Sequence, residues 1–262
     1  MKKMCIILAL ICAPVLVFAG GGGDNWGFGL PIKGNGNMVT SEKPVTPFEG
    51  IKIQGSAAVY FHASQEYRAV VTIDSNLEEY VLLYTQNGTL NIGTKRGSNC
   101  LYTQYIVDVY CPGLTGISIS GSARFEAKDK ISVSSCKLQI SGMGRMEGGF
   151  ECKDFSIGVS GSGDISGQVV CTNFSADVSG SAKIVLSGSA KDMNISITGS
   201  GDFNGNELCA NNAAVQISGS AVINIWALDT LKANVSGSGS VKYRGTPKID
   251  YRGSGSGRLE SV

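Results

Sequence analysis

The groups in this chain most evenly spaced for chemistry are hydroxyls. One residue before a recurring glycine stand Ser120, Ser141, Ser160, Ser179, Thr198, Ser218 and Ser236, and one residue after it stand Ser122, Ser162, Ser181, Ser200, Ser220, Ser238 and Ser254. Each hydroxyl offers one donor and two acceptors, so parallel files of them suit recognition of a periodic partner, a glycan chain or the sheet of a cell-surface protein. Bond-making by serine needs a base beside it. The sequence holds one histidine, His62, which follows inward-facing Phe61 and reads as an ordinary exposed strand residue. Asp164 and Asp202 share a position in their repeats, with Lys183 between them. Two coils apart they would stand ~9.6 Å from each other, at the limit of the ~6.5–9.5 Å separation of an inverting glycosidase pair. The remaining acids scatter. Gly161-Ser162-Gly163 and Gly199-Ser200-Gly201 imitate a dinucleotide-binding loop, but the third glycine comes one residue late, at Gly167 and Gly205, and no helix follows. These residues nominate no catalytic group, no metal site and no cofactor.

A second account of the serines is local. Serine is small and polar, suits a tight exposed turn, and can cap turn backbone with its hydroxyl. The two accounts differ in whether the hydroxyls are free.

Beyond Cys5 and Cys12, six cysteines remain: Cys100, Cys111, Cys136, Cys152, Cys171 and Cys209. None has the CxxC spacing of a zinc or redox site. Cys152, Cys171 and Cys209 occupy one place in their repeats, with Ala190 filling the coil between. Cys152 and Cys171 would stack on adjacent coils with Cα atoms ~4.8 Å apart, inside the range for a disulfide, although in-register Cβ atoms are a little far. Ala190 in the same column fits plain packing.

What must position these groups is a repeat of about nineteen residues. The phrases ISISGSARF, LQISGMGRM, IGVSGSGDI, ADVSGSAKI, ISITGSGDF, VQISGSAVI, ANVSGSGSV and DYRGSGSGRL have first glycines at Gly121, Gly142, Gly161, Gly180, Gly199, Gly219, Gly237 and Gly253, and a ninth copy surrounds Gly55. Four and two residues before the glycine stand pairs such as Ile157 and Val159, Ile195 and Ile197, Ala233 and Val235; four after stand Ile165, Phe203 and Val241. Apolar residues at period two mean a strand with that parity turned inward. The glycine and the Gly or Ala two residues later leave little inward volume, as a tight corner requires. A second corner follows at Lys153-Asp154, Thr172-Asn173, Lys191-Asp192 and Ala210-Asn211. One unit cannot bury its own inner face, but stacked units can. The expected fold is all-β: a right-handed parallel β-helix (solenoid) of about nineteen-residue coils, eight of them rising roughly 35–40 Å. A propeller would need blades of ~40 residues. Outside, Asp164, Lys183 and Asp202 succeed one another as an ion ladder worth ~0.2–1 kcal/mol per pair.

From His62 to Pro112 the period lapses. VVTI, YVLLYTQNGTLNIG and YIVDVYC read as strands with an Asn87-Gly88 hairpin turn, and 76–84 is the place for one short helix. Lys2 and Lys3, the apolar run Met4 to Phe18 and Val17-Phe18-Ala19 predict a signal peptide over 1–19, and bulky Ile11 argues against lipid attachment at Cys12. Residues 20–47 read as a flexible Gly-rich tether with Trp26 and Phe28 as stray aromatics. Residues 48–262 read as one domain, an irregular first lobe over 48–115 and regular coils over 116–262. After cleavage no membrane span remains. With 42% hydrophobic residues the chain can build a core, while 36 glycines without a triplet period and only six prolines exclude collagen. Lys+Arg 22 against Asp+Glu 21 leaves no basic footprint for nucleic acid.

FEGIKIQGSAAVYF, VTIDSNLEEYV, NGTLNI and VDVYCPGLTGISISGSA, followed by the trailing SGSG coils, resemble in that order the head GIN domain family of auto-transporter adhesins, over about Phe48 to Val262. The resemblance implies an exported β-helical domain of Bacteroidetes-like envelopes and carries no catalytic or ligand residues over. The copies depart from the pattern at Met143 and Arg252. The functional expectation is an exported, non-enzymatic module of the periplasm, cell surface or medium. It would bind a glycan or cell-surface protein through Ser141, Ser160, Ser162, Ser179, Ser181, Thr198, Ser200, Ser218 and Ser220. A carbohydrate-active enzyme on the same scaffold and a structural spacer are the alternatives.

Overall fold

The computed structural model describes residues 31–262; the signal peptide predicted over 1–19, Cys5, Cys12, Trp26 and Phe28 lie outside the described residues. The first part of the chain forms β1 (Ile32–Lys33), β2 (Met38–Lys43), β3 (Gly50–Gly55), β4 (Ala58–Ala63), β5 (Arg68–Asp74), β6 (Val81–Gln86), β7 (Thr89–Thr94), β8 (Cys100–Leu101) and β9 (Tyr105–Cys111). Then come β10 (Gly116–Gly121), β11 (Arg124–Ala127), β12 (Ile131–Ser132) and β13 (Ser135–Gly142). The middle coils run from one glycine corner to the next, unbroken past the second corner, as β14 (Arg145–Gly161), β15 (Asp164–Gly180), β16 (Lys183–Gly199), β17 (Asp202–Gly219) and β18 (Val222–Gly237). The column ends on β19 (Ser240–Arg244), β20 (Lys248–Gly255) and β21 (Arg258–Ser261).

These strands make a parallel β-solenoid, with Gly142, Gly161, Gly180 and Gly199 stacked in register nineteen residues apart. The corner demands glycine for two reasons. The backbone there has φ of +130° at Gly161 and +134° at Gly180, in the region L side chains avoid. A Cβ on Gly161 would also lie 2.5 Å from the carbonyl oxygen of Gly142. That carbonyl is the acceptor for the next residue: the N–H of Ser162 donates to Gly142 O at 2.9 Å, and Ser181 to Gly161 O at 2.9 Å. The ladder therefore continues around the corner. Two residues on, a Cβ at Gly163 would meet Ile140 at 2.9 Å, although Ala182 fits at the equivalent place.

The inward parity is as the sequence implies. Ile157, Val159 and Ile165 and their equivalents in the middle coils are buried; Phe155 and Phe174 stack with ring centroids 6.0 Å apart, and Phe203 meets Phe174 edge-on at 5.9 Å. Each such ring buries enough apolar surface to contribute about 2–3 kcal/mol.

Stacking order departs from chain order at the start. β3 pairs with β10 on one side and with β7 on the other, and β4 lies between β11 and β9. The Gly55 copy thus sits directly against the Gly121 coil, with β7 and β9 outside it. Antiparallel strands then close that end: β5 pairs with β9 and β2 with β5, while β6 pairs with β7 through Asn87-Gly88, both at positive φ. Only a 3-10 turn, Glu78–Tyr80, occupies the region expected to be helical, because Val81 onward is claimed by pairing with β7.

Three expectations need correction. The stretch 20–47 is not tether from Ile32 onward: β1 pairs with β8 and β2 with β5. It is held by Asp74, a fully buried carboxylate that accepts N–H bonds from Gly36 and Thr103, each at 2.8 Å. The last corner is Gly255, not Gly253, since Gly255 pairs with Gly237 while Gly253 falls opposite inward Val235. Arg252 then lies three before the corner and Ser254 takes the serine place, so the departure at Arg252 vanishes. The second corner of β17 uses Asn212, not Asn211, as register partner of Asp192, after a one-residue slip. There Asn173 donates to Asp154 at 2.6 Å, Asn212 to Asp192 at 2.9 Å and Thr230 to Asn212 at 2.7 Å.

Candidate functional site

The strand that leads into each glycine corner presents two outward columns. The nearer carries Ser141, Ser160, Ser179, Thr198 and Ser218, all exposed and each in register with the next. Coils repeat at ~4.8 Å, so the hydroxyls do too. The farther column, two residues earlier on the same parity, carries Gln139, Asp177, Ser196, Gln216, Asn234 and Arg252.

Between them the columns line two hollows. One, of about 490 Å³, is lined by Ser141, Ser160, Ser179 and Thr198 with Gln139 and Asp177. The other, of about 390 Å³, is lined by Thr198, Ser218, Ser236 and Ser254 with Gln216, Asn234 and Arg252. Ser196 and Thr198 belong to both, which makes the hollows one groove along the column. The amide, carboxylate and guanidinium of the farther column were missed by sequence reasoning. Their signal was available: polar residues two positions before the column's serines and Thr198, interrupted at Gly158 before Ser160.

Ser162, Ser181, Ser200 and Ser220 lie just past the corner, exposed but outside both hollows, with Met143 in their file 70% exposed. The structure therefore separates the two predicted files. The corner N–H groups of Ser162, Ser181 and Ser200 are bonded to carbonyls one coil back, so hydroxyls are not needed to cap them.

Cys152 and Cys171 are brought together as direct register partners, yet all six described cysteines are free thiols. The possible bridge is not formed, and the plain packing suggested by Ala190 holds. In-register parallel neighbours hold their Cβ atoms wider than the ~3.8 Å of a disulfide. Burial pushes Cys152 up to about 11 and Cys171 up to about 12, which starves both of the thiolate that exchange requires.

His62 is not a bare exposed residue. Its Nε2 lies 2.8 Å from Asp108 Oδ1, its ring stacks on Tyr110 at 4.7 Å, and Arg68 covers that same tyrosine at 4.1 Å. A His–Asp pair becomes a base only when it faces a nucleophile; here His62 and Asp108 knit β4 to β9. Asp164 is engaged by Arg145 at 3.0 Å rather than by Lys183, although Asp164, Lys183 and Asp202 do follow one another in register. Among the described residues no group of three or more His, Cys, Asp or Glu is gathered as for a metal ion, and no helix is long and apolar enough to cross a membrane.

The family model described as putative auto-transporter adhesin, head GIN domain, matches residues 47–247. The chain belongs to the head GIN domain family. A crystal structure named putative lipid binding protein from Parabacteroides distasonis is similar at 28% identity and TM-score 0.83, covering 89% of this chain and 100% of that one. One named putative adhesin from the same species is similar at 26% identity and TM-score 0.84, over 88% and 99%. Another putative adhesin, from Parabacteroides merdae, is similar at 25% identity and TM-score 0.83, over 88% and 98%. None of the curated proteins matches the chain by sequence.

Proposed function

We propose that this head GIN domain protein is exported and acts without catalysis, gripping a hydroxyl-rich partner along its serine groove. The observation that carries the reading is the unbroken run of exposed hydroxyls from Ser141 to Ser218, flanked by amide and charged side chains in one groove. Such lining offers alternating donors and acceptors to a glycan. It offers little to an acyl chain, so the lipid-binding name of one relative does not guide the choice. The adhesin names of the family and of two relatives agree with surface binding.

Replacing Ser160, Ser179 and Thr198 together by alanine should weaken adhesion to whole cells or to a polysaccharide panel at least ~30-fold, about 2 kcal/mol for three hydrogen-bonding groups, with thermal unfolding unchanged. Full binding by the folded triple variant overturns the proposal. Shortening of any polysaccharide in that panel would instead favour the enzyme reading. Export is checked separately by protease accessibility on intact cells.

A further inference from the structure

From β13 to β16 successive coils pair at a constant offset of nineteen residues, and the first slip comes in β17. Val185 still faces Asn204, but Ser187 faces Glu207, so Gly205 and Asn206 together oppose Leu186. On the other side Gly205 faces Ile225 and Cys209 faces Trp226, which leaves Asn206, Glu207 and Leu208 without register partners in β18. This is a β-bulge, a device that is rare in parallel ladders and re-aims side chains where it occurs beside a site. Gly205 permits it, since a Cβ there would lie 2.7 Å from the Phe203 ring. Leu208 returns to the core, while the consecutive residues Asn206 and Glu207 are both exposed.

The bulge walls a hollow of about 670 Å³ past the glycine corner, shared with Ser166 and Gln168 of β15 and Val185 and Ser187 of β16. Two outward rows cross it, Ser166–Val185–Asn204 and Gln168–Ser187–Glu207, each spanning two coil steps, ~9.6 Å. Ser187 donates to Gly167 O at 3.4 Å, and Asn204 Oδ1 accepts from the N–H of Asn206 at 3.2 Å. At the second corner the asparagines are tied to carboxylates; here, among the described residues, the side chains of Gln168, Asn206 and Glu207 keep their donors and acceptors free. We infer that this hollow is a second binding site and takes a neutral saccharide. Val185, 38% exposed between Ser166 and Asn204, offers an apolar patch to the C–H face of a sugar ring. Around it the amides supply donors and acceptors together, and Glu207 accepts from hydroxyls in charge-assisted bonds. An anion is disfavoured: Glu207 carries the charge of the hollow, and Lys183, two residues before Val185, stands between Asp164 and Asp202. One valine is too little for an acyl chain. The site goes beyond the serine groove and does not rest on it. Ser160 of the groove and Ser166 of this hollow are six residues apart around the corner, ~20 Å of strand, so with both filled the domain ties two partners together.

Nitrogen–proton correlation NMR of the full chain tests this, with glucose, galactose, mannose and N-acetylglucosamine each added to about 50 mM. At least one sugar should move the amide signals of Gln168, Ser187 and Glu207 with a Kd of about 1–20 mM. Glu207→Gln should weaken that sugar about tenfold, and the 6-phosphate of the same sugar should bind the parent chain at least about fivefold more weakly. Glu207 is exposed, so the variant folds, and its otherwise unchanged spectrum confirms it. The variant with alanine at Ser160, Ser179 and Thr198 should keep these shifts, so failure of the groove and failure of this site are read separately. Signals unmoved by all four sugars, shifts confined to the groove, a phosphorylated sugar that binds equally well, or Glu207→Gln binding like the parent would each overturn the inference.

Discussion

At the N-terminal end of the column Val71 and Ile73 of β5 face the core and are fully buried, whereas at the other end Ile249 and Tyr251 of β20 face the same way and are 41% and 37% exposed. The last coil keeps the repeat, whereas β5 lies outside it. A solenoid coil carries its own pairing edges on both sides and cannot finish itself. The N-terminal end is finished by leaving the repeat: β5, β6 and β2 run antiparallel, and the order of β3, β7 and β9 along the axis is uncoupled from their order in the chain. That end also gathers hydrogen-bonded carboxylates. Glu78 accepts from Lys43 and Ser41, each at 2.7 Å, and Asp74 holds Gly36 and Thr103. The C-terminal end has one tyrosine across its mouth.

The largest test of this contrast is to place a charge on the inward parity at each end. Val107→Asp, in β9 between β4 and β5, buries an unpaired carboxylate and should cost about 4–5 kcal/mol or prevent folding. Ile249→Asp should cost less than about 1 kcal/mol, because the carboxylate stays wet. Urea unfolding of both variants decides it, and equal losses would mean the two ends are equally closed.

Glycine gives a smaller, graded version. Gly180→Ala forces φ of +134° on an L residue and sets its Cβ 2.2 Å from Gly161 O; about 3 kcal/mol should be lost. Gly255→Ala, at φ +84° and 2.7 Å from Gly237 O in the terminal coil, should lose only about 1 kcal/mol. The midpoint shift in thermal unfolding ranks the two.

The smallest effect is acid loosening of the closed end. Burial alone would raise the pKa of Asp74, but hydrogen bonds from Thr103 and Gly36 outweigh it and hold the carboxyl below its ordinary value. Glu78 is likewise held low, first by the hydrogen bond from Lys43 and then by that from Ser41. A carboxyl depressed on folding stabilises above its unfolded pKa of about 4, and that contribution disappears as pH falls through the lower folded value. Amide exchange at Gly36 and Thr103 should therefore quicken as pH falls below about 4 while Ser162 and Ser181 in the middle coils stay protected. Asp74→Asn should show the faster exchange already at neutral pH.

The middle of the fold was legible because each coil repeats the same local instruction. Ile157, Val159 and Ile165 announce strand and inward face by period, and Gly161 announces the corner. Legibility failed where pairing partners rather than local pattern set the outcome. Met38–Lys43 has no repeat to match, and only its antiparallel partner β5 makes it a strand. In the last coil two glycines compete for the corner, and stacking on Gly237 selects Gly255. The candidate site was half legible: the serines stand beside a conspicuous glycine, while Gln139, Asp177, Gln216 and Asn234 vary in type and become one wall only when stacked.

By itself the sequence determined the coil: its length, its inward parity and its glycine corner, because these depend on steric limits and side-chain burial within one repeat and its neighbour. Only the tertiary structure decided how the column stops, which columns share a groove, and that Cys152 and Cys171 stay apart as thiols. Those outcomes depend on distances between segments that the period leaves free, and hydrogen bonding across coils is what fixes them.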